Sequence, residues 1–385
     1  MYKIKTLNKI SKVGLANLDL TKYTCGDNEE GADGILVRSA AMHDYEFNPE
    51  LKGIARAGAG VNNIPIEKCT EKGIVVFNTP GANANAVKEL VLLGLLLSSR
   101  KVVAGIEWAK TLSGDDVGKT VEKGKGSYVG PEIKGKTLGI IGLGAIGAMV
   151  ANAAEALGMN VIGFDPFLSV GAAWKLSPSV VCAASMDEVF EKSDYLTLHM
   201  PANDATNGSI NKDAFAKMKD GIRILNFARG SLVNDADLKV ALESGKVSCY
   251  VTDFPNDAVL SMENVVAIPH LGASTPESED NCAMMAADEL RDFLVNGNIK
   301  NSVNFPDCDA PRCGARITVA HKNAPDMLAS LAKVASDNGA KLANTVSKSK
   351  KDNAYTIMDL DGDASDSVIA ALSALDGVYS ARIIH

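Results

Sequence analysis

Residues 137–147 read TLGIIGLGAIG, an apolar run that leads directly into three closely spaced glycines. The apolar part predicts a buried strand, and the Ala-rich segment 145–157 predicts the helix that follows it. Between the two, Gly142 permits a tight turn, Gly144 lets the backbone approach a pyrophosphate, and Gly147 lets the helix pack closely on the strand. The free N–H groups of the first helical turn would then bind the phosphates of a dinucleotide.

A second apolar run, 160–164, ends at Asp165, which lies 18 residues after Gly147. An acidic residue at about this distance accepts hydrogen bonds from the hydroxyls of the adenosine ribose. The carboxylate would repel a ribose phosphate, and the next residues, Pro166 and Phe167, supply no cation in its place. The sequence therefore predicts NAD as the cofactor, rather than NADP.

Short aliphatic runs alternate with segments of helical length over the first three hundred residues. Nearly continuous apolar strands in such an alternation predict parallel sheets with both faces covered, and an α/β fold class. The predicted strands are 34–37, 73–77, 137–141, 160–164, 195–198, 222–226 and 249–252, with helices that include 145–157, 187–192 and 236–243.

The C-terminal part of the chain has a different pattern. Residues 304–314 contain two prolines and two cysteines, which predicts a linker to a separate unit at 315–385. Strands are predicted at 316–320, 341–348, 354–360 and 378–384, and helices at 325–338 and 365–375. The resulting order βαββαβ is that of a ferredoxin-like sandwich.

Composition excludes several classes of function. The 385 residues carry 39 Lys and Arg against 47 Asp and Glu, a formal net charge of −8, which argues against nucleic-acid or membrane-surface binding. The longest apolar run, 90–97, is far shorter than the ~20 residues that cross a bilayer, and the first residues lack the apolar core of a secretory signal. We therefore expect a cytoplasmic protein.

The seven cysteines include no Cys-x-x-Cys pair. The closest two, Cys308 and Cys313, have no histidines at metal-ligand spacing. An odd number of cysteines in a cytosolic chain indicates reduced thiols, and no metal site is predicted.

Hydride transfer from a hydroxy acid to a dinucleotide requires two groups. One is a cation that orients the acid, and the other is a titratable group that takes up or returns the proton of the hydroxyl. His270 follows the apolar run 265–268, and Arg229 directly follows the strand predicted at 222–226. Strand ends are where α/β proteins bind ligands, so both residues are candidates. The alternatives are a buried structural histidine and a solvated surface arginine.

Four motifs in this order resemble the D-isomer-specific 2-hydroxyacid dehydrogenases: the glycine fingerprint, 198–201 (LHMP), 226–230 (NFARG) and the pair at 269–270 (PH). The stretches 37–39, 56–63, 78–81 and 270–275 are most similar to family members that act on a phosphorylated acid. The C-terminal unit resembles an ACT domain.

The resemblance implies two Rossmann-like (flavodoxin-like) domains with parallel sheets and a C-terminal ferredoxin-like domain. A substrate-binding domain would comprise 1–93 and 272–304, an NAD-binding domain 94–271, and an ACT-like regulatory or assembly domain 315–385.

The resemblance also implies catalytic roles. Arg229 would bind the substrate carboxylate and carbonyl oxygen, and His270 would be the acid/base. Family members place a Glu partner for the histidine five residues after an Asp. Here 252–258 read TDFPNDA, which puts Asp257 in the place of that Glu, one methylene shorter, and moves Asp253 one position. Glu263 is the alternative carboxylate.

Binding residues follow from the same resemblance. Those expected to contact NAD are Gly142, Gly144, Ala145, Ile146, Gly147, Asp165, His199, Met200, Pro201, Phe227, Ala228, Asp253 and Gly272. Those expected to contact the substrate are Arg38, Ser39, Arg56, Ala57, Gly58, Ala59, Gly60 and Lys125, with Lys125 reaching a neighbouring subunit's substrate. Arg38 and Arg56 could instead be solvated surface residues.

The expected activity is NAD-dependent oxidation of a small phosphorylated 2-hydroxy acid by a homodimer or homotetramer. Two alternatives stay open: a reductase of hydroxypyruvate or glyoxylate, and a non-catalytic NAD-sensing relative. The ACT-like unit departs from its template, since Asp326 stands where a glycine is expected and Lys341 where serine-regulated relatives have Asn. We therefore expect weak or absent serine binding and a role in assembly.

Overall fold

The computed structural model describes residues 1–19, 21–312, 314–363 and 365–384. The chain forms two compact units, one made of Met1–Asn83 and Pro276–His385 and the other of Ala84–Thr275. We call them the split unit and the central unit. The C-terminal residues belong to the split unit, so the three-domain division stays a prediction.

The N-terminal part of the split unit is a five-stranded sheet in which the described neighbouring strands are parallel. Its strands are β1 (Tyr2–Leu7), β2 (Tyr23–Gly26), β3 (Gly34–Val37), β4 (Gly53–Arg56) and β5 (Val75–Phe77), with helices α1 (Lys12–Leu15) and α2 (Ile66–Glu71). The order β2-β1-β3-β4-β5 is that of flavodoxin-like folds. Neighbours on β3 point to opposite faces, so Ile35 and Leu36 lie in separate core clusters.

The central unit contains a seven-stranded sheet with parallel pairing throughout its described strands. The strands are β6 (Thr137–Ile141), β7 (Asn160–Phe164), β8 (Val181–Cys182), β9 (Tyr195–Leu198), β10 (Ile222–Asn226), β11 (Val247–Thr252) and β12 (Val265–Ala267). Their order, β12-β11-β10-β9-β6-β7-β8, contains the strand order of Rossmann folds. The order reverses between β6 and β9, where such sheets bind their ligands.

The central unit also contains α-helices, and several of them pack on this sheet. The helices are α3 (Ala84–Ser99), α4 (Val102–Lys110), α5 (Val117–Gly124), α6 (Ala145–Ala156), α7 (Val170–Ala173), α8 (Met186–Lys192), α9 (Lys212–Lys217), α10 (Asp235–Glu243) and α11 (Asp257–Leu260). Alternate strand residues supply two cores: Ile140 packs in one cluster and Ile141 in the other. Near-continuous burial of the inner strands explains their uninterrupted apolar sequences.

The C-terminal part of the split unit begins with α12 (Pro276–Asn296). An antiparallel sheet and two helices follow. In chain order they are β13 (Arg316–Lys322), α13 (Met327–Asp337), β14 (Leu342–Lys350), β15 (Asn353–Leu360), α14 (Asp366–Ser373) and β16 (Val378–Ile384). The strand order of the sheet, β14-β15-β13-β16, gives the predicted βαββαβ sandwich. The predicted α/β fold class is confirmed.

The C-terminal sheet is packed on both faces. One face, with Ile317 and Met358, packs with α13 and α14. The other face, with Tyr355 and Ile357, joins the core that contains Phe77 of the parallel sheet. The segment 304–314 predicted as a linker also enters this core, because its Phe305, Cys308 and Ala310 are buried there.

No described helix is long and apolar enough to span a membrane. The six described cysteines are free thiols, and Cys313 lies outside the described residues. No group of three or more His, Cys, Asp or Glu within those ranges could hold a metal ion.

Candidate active site

The glycine loop after β6 has the geometry of a phosphate cradle. Gly142 has φ of 93°, and a Cβ there would lie 2.7 Å from the backbone carbonyl of His199. Gly147 has no room for a Cβ against the carbonyl oxygen of Gly142. A Cβ on Gly144, by contrast, would meet no atom within 4 Å, so the loop leaves open space where a ligand's phosphates would lie. Helix α6 begins directly after it, at Ala145, without a side-chain cap on its N–H groups.

Asp165 is fixed at the end of β7, beside this loop. One carboxylate oxygen accepts a hydrogen bond from the Leu143 backbone N–H (2.9 Å), and the other accepts one from the Phe167 N–H (2.9 Å). The carboxylate is half-buried. These residues therefore fit NAD: α6 supplies N–H groups for the pyrophosphate, and Asp165 supplies an acceptor for the ribose.

His199 lies opposite the glycine loop, directly after β9. Its backbone N–H donates to the carbonyl of Ile141 (2.8 Å), and its Nε2 lies 3.0 Å from Thr197 Oγ1. Burial lowers the pKa of the His199 imidazole to about 4, so the ring is neutral at pH 7. The neighbouring Met200 is buried. His199 is therefore suited to a structural or hydrogen-bonding role and carries no charge toward the phosphates.

Arg229 is held after β10 by the buried amide of Asn226. Asn226 donates through Nδ2 to the Arg229 carbonyl (2.9 Å) and accepts from the Ala228 N–H (3.2 Å). This fixes the loop backbone, while the Arg229 side chain is exposed and donates to the Ala228 carbonyl (2.6 Å). Phe227, on the same loop, is buried.

Phe254 connects the two candidate catalytic residues. Its ring centroid lies 4.7 Å from that of His270 and 6.0 Å from the guanidinium carbon of Arg229. The three residues follow β10, β11 and β12, which are neighbours in the sheet. The structure therefore brings Arg229 and His270 together, with a ring between them to which the sequence analysis assigned no role.

Asp253 is the buried carboxylate of this cluster. It is 1% exposed, its Oδ2 accepts from the Gly272 N–H (3.2 Å), and its Oδ1 has no hydrogen-bond partner among the described residues. Burial raises the pKa of the Asp253 carboxyl, and the nearby positive charges of His270 and Arg229 offset part of the rise. When ionised, it stabilises a positive charge on His270.

Asp257, the carboxylate that the resemblance favours, is on the surface. It is the first residue of the short helix α11, it is exposed, and Asn256 caps that helix by accepting from the Val259 N–H (2.8 Å). Within the described ranges, no hydrogen bond joins Asp257 or Glu263 to His270. The assignment of either carboxylate as the partner of His270 stays a prediction.

The predicted substrate residues other than Lys125 lie in the split unit, at the end of β4 or on the loops after β3 and β4. Arg56 donates through Nε to the Arg38 carbonyl (3.1 Å), and its guanidinium lies where a Cβ of Gly58 would be. Gly58 has φ of 143°, so the loop requires glycine in both respects. Arg38 itself forms an ion pair with Glu279 (2.7 Å), a residue that the sequence analysis did not single out.

The rest of this loop is held by its neighbours. The Ala57 N–H donates to the Val37 carbonyl (2.8 Å), and the Asn78 amide donates to the Ala59 carbonyl (2.6 Å). Gly60 follows in the same loop, and Ser39 donates through its N–H to Asn8 Oδ1 (3.1 Å).

Lys125 is exposed on a 3₁₀ turn of the central unit, where its Nζ lies 2.5 Å from Glu122 Oε2. Whether it reaches a neighbouring subunit stays a prediction.

Comparison with known proteins identifies relatives of the chain. Residues 95–272 match the family model described as D-isomer specific 2-hydroxyacid dehydrogenase, NAD binding domain. A D-3-phosphoglycerate dehydrogenase of Archaeoglobus fulgidus is 36% identical over 290 residues, which cover 72% of this chain and 52% of the relative. One of Bacillus subtilis is 34% identical over 330 residues, which cover 80% and 59%.

A solved structure has the same fold over most of the chain. The NAD⁺-bound 3-phosphoglycerate dehydrogenase of Entamoeba histolytica is 28% identical with a TM-score of 0.59, covering 79% of this chain and 98% of that one. The chain spans between half and three fifths of the length of the curated relatives above. The matches confirm the predicted resemblance and NAD as the cofactor.

Proposed function

The chain belongs to the D-isomer specific 2-hydroxyacid dehydrogenase family, and from that premise we propose that it oxidises D-3-phosphoglycerate to 3-phosphohydroxypyruvate with NAD, the first step of L-serine biosynthesis. The observation that carries the proposal is the cluster of Arg229, Phe254 and His270 after three neighbouring strands. The relatives named D-3-phosphoglycerate dehydrogenase support the choice of substrate.

Each side chain of the cluster has a separate role in the reaction. Arg229 binds and orients the substrate carboxylate and the C2 oxygen, because a guanidinium donates several hydrogen bonds in a fixed planar geometry. His270 accepts the proton of the C2 hydroxyl during oxidation and returns it during reduction. NAD, when bound, supplies the hydride acceptor. Asp253, buried beside the cluster, stabilises the imidazolium that forms on His270.

Asp257 is the alternative partner of His270. The family pattern favours it, and its carboxylate is exposed on the short helix α11. Asp253 is the partner that the structure favours: burial raises the pKa of its carboxyl, and the nearby positive charges of His270 and Arg229 offset part of the rise.

NAD binding is assigned to the loops at the switch between β6 and β9. The N–H groups at Gly144, Ala145 and Ile146 bind the pyrophosphate, and Asp165 binds the ribose. The rest of the NAD molecule is assigned to three loops, at His199–Pro201, at Phe227–Ala228 and at Gly272.

Substrate binding beyond Arg229 is assigned to the split unit. Arg38 and Arg56 bind the phosphate, for which guanidinium groups are suited by charge and geometry. The backbone of 57–60 approaches the substrate closely, as the glycine requirement at Gly58 supports. Lys125 of a neighbouring subunit adds a further cation.

A second candidate function is reduction of hydroxypyruvate or glyoxylate. It is favoured by one observation, the pairing of Arg38 with Glu279, which neutralises a cation that the phosphate would need.

Assembly as a homodimer or homotetramer is supported by α4. None of the nine residues of this helix is buried, and Val102, Val103 and Ile106 are exposed apolar side chains that association would cover. Free thiols at the described cysteines support a cytoplasmic location.

The C-terminal sheet is proposed to act mainly in assembly, with weak or absent serine binding. Asp326 adopts φ of 60°, the left-handed backbone that glycine would adopt there, and so preserves the turn while adding a carboxylate. That carboxylate would repel the carboxylate of an amino-acid ligand. Calorimetric titration with serine tests this, and micromolar binding would overturn it.

The activity is tested by NADH consumption with 3-phosphohydroxypyruvate, measured beside hydroxypyruvate, glyoxylate and pyruvate. We expect the largest kcat/KM for the phosphorylated acceptor. A preference for hydroxypyruvate or glyoxylate would establish the second candidate instead. No turnover with any acceptor, together with tight NADH binding, would establish a non-catalytic NAD-binding protein.

A further inference from the structure

Arg38, the first cation assigned to the substrate phosphate, is already paired within its own unit. Its Nη2 lies 2.7 Å from Oε1 of Glu279, in the first turn of α12. The two side chains are 39% and 43% exposed. A pair this open to water is worth little free energy and can be displaced by a competing anion.

The backbone beneath Arg38 is fixed from two sides. Its carbonyl accepts hydrogen bonds from Arg56 Nε (3.1 Å) and from the Asn63 amide (3.4 Å). The backbone is therefore held, and the Arg38 guanidinium contacts Glu279. A guanidinium has five N–H donors, so the contact with Glu279 leaves donors for an incoming ligand.

Glu279 lies next to the guanidinium that would bind the ligand, 2.7 Å from Arg38 Nη2. It lies in the acidic first turn of α12, where the helix dipole favours negative charge. A phosphate that binds Arg38 must therefore approach the Glu279 carboxylate. The repulsion opposes a phosphate dianion and hardly affects an acid that lacks a phosphate.

We propose that Glu279 is a specificity residue: it competes with the substrate's phosphate for Arg38 and thereby limits the preference of the enzyme for phosphorylated over unphosphorylated acids. The inference rests on the proposed function, since it concerns the same substrate site. It also accounts for the Arg38–Glu279 pair, the observation that favours the second candidate function. Arg38 is neutralised by Glu279 in the free enzyme and is released from it when the substrate's phosphate binds.

The test is the variant Glu279→Gln, with Glu277→Gln as its matched control. Glu277 lies in the same turn of α12, is exposed, and forms no ion pair within the described ranges. We expect Glu279→Gln to lower KM for 3-phosphohydroxypyruvate about threefold to fivefold, the size of an exposed charge effect. Its kcat, and its KM for hydroxypyruvate, should stay within twofold of the parent values, and Glu277→Gln should change neither.

A double-mutant cycle shows whether the effect passes through Arg38. In an Arg38→Met background, Glu279→Gln should leave KM for the phosphorylated acid unchanged. An unchanged or raised KM in the single variant would overturn the proposal. So would an equal fall in KM for both acids, or a full effect that persists without Arg38.

Binding of inorganic phosphate to the full-length chain separates this inference from the proposed activity. Calorimetric titration should show tighter phosphate binding to Glu279→Gln than to Glu277→Gln. In the Arg38→Met background, adding Glu279→Gln should leave the phosphate affinity unchanged. This result is expected even if no acceptor is turned over, in which case the activity fails and the competition stands. Equal phosphate affinity in the two glutamate variants overturns the competition.

Discussion

Arg316 and Asp359 form a buried ion pair between β13 and β15, with Nε 2.6 Å from Oδ1 and side chains 0% and 1% exposed. Arg316 also donates to the backbone carbonyls of Asn296, Ala310 and Pro311. The guanidinium therefore joins the C-terminal sheet, the end of α12 and the segment 304–314. A buried charge is tolerated when its donors are all used, and here the hydrogen bonds reach three separate segments.

Replacing Arg316 by Met should lower the free energy of unfolding by about 3–5 kcal/mol, because Asp359 would be left buried without its partner. Urea unfolding measures the change. Lys333→Met is the control: it breaks an exposed pair with Asp337, which should cost less than about 1 kcal/mol. Adding Asp359→Leu to Arg316→Met should recover much of the loss. A single variant as stable as the parent would show that the pair contributes nothing.

Gly144→Ala should weaken NADH binding at least tenfold while leaving the unfolding midpoint nearly unchanged. A Cβ there meets no protein atom but occupies the space through which the pyrophosphate approaches the backbone. Gly147→Ala is the contrast, because its Cβ would overlap the carbonyl oxygen of Gly142 and should lower stability. Fluorescence titration with NADH and thermal unfolding distinguish them. Unaltered NADH affinity in Gly144→Ala would contradict the placement of the phosphates.

Local signals explain what the sequence predicted. The strand 137–141, the glycine turn and Asp165 are close in the chain and each has a distinctive residue type, so their arrangement followed from pattern alone. The strand predicted at 73–77 begins at Val75 instead, because Gly73 has φ of 69° and turns the chain into the strand.

Long-range contacts explain what the sequence could not predict. Phe254 meets Arg229 and His270 only because β10, β11 and β12 are neighbours in the sheet. The hydrophobic periodicity of the sequence predicts strands but does not show which loops lie close together. Glu279 meets Arg38 across 241 residues because α12 packs against β3.

The segment 304–314 shows a further limit of composition. Prolines and cysteines predicted a linker, and composition gave no sign that Phe305 and Cys308 pack in the core or that Arg316 donates to two of the segment's carbonyls.

Glu289→Gln should make the protein more stable at pH 8 than the parent, with little difference near pH 4.5. Burial raises the pKa of Glu289 from its ordinary 4.5 to about 8, and Asn301 donates to one of its oxygens (2.6 Å). Between these two pH values the unfolded chain releases the proton that the folded chain retains. The stability of the parent therefore falls as pH rises through this range, by roughly 2–4 kcal/mol.

Urea unfolding of both proteins at pH 5, 6.5 and 8 measures this difference. The variant should lack the part of the pH dependence that Glu289 supplies. A stability difference that is the same at all three pH values would show that Glu289 titrates at its ordinary value.

Asp253→Asn and Asp257→Asn together identify the carboxylate that serves His270. Asp253 is buried beside the histidine and Asp257 is exposed on α11, so Asp253→Asn should lower kcat/KM roughly tenfold, the effect of losing ~1.4 kcal/mol of imidazolium stabilisation. It should also shift the pH dependence of kcat/KM, which a purely structural loss would not do. Asp257→Asn should change both by less than twofold. Steady-state rates from pH 6 to 9 provide the measurement, with thermal unfolding to confirm that each variant is folded. If Asp257→Asn shifts the profile and Asp253→Asn does not, Asp257 is the partner of His270 and the family's arrangement is retained.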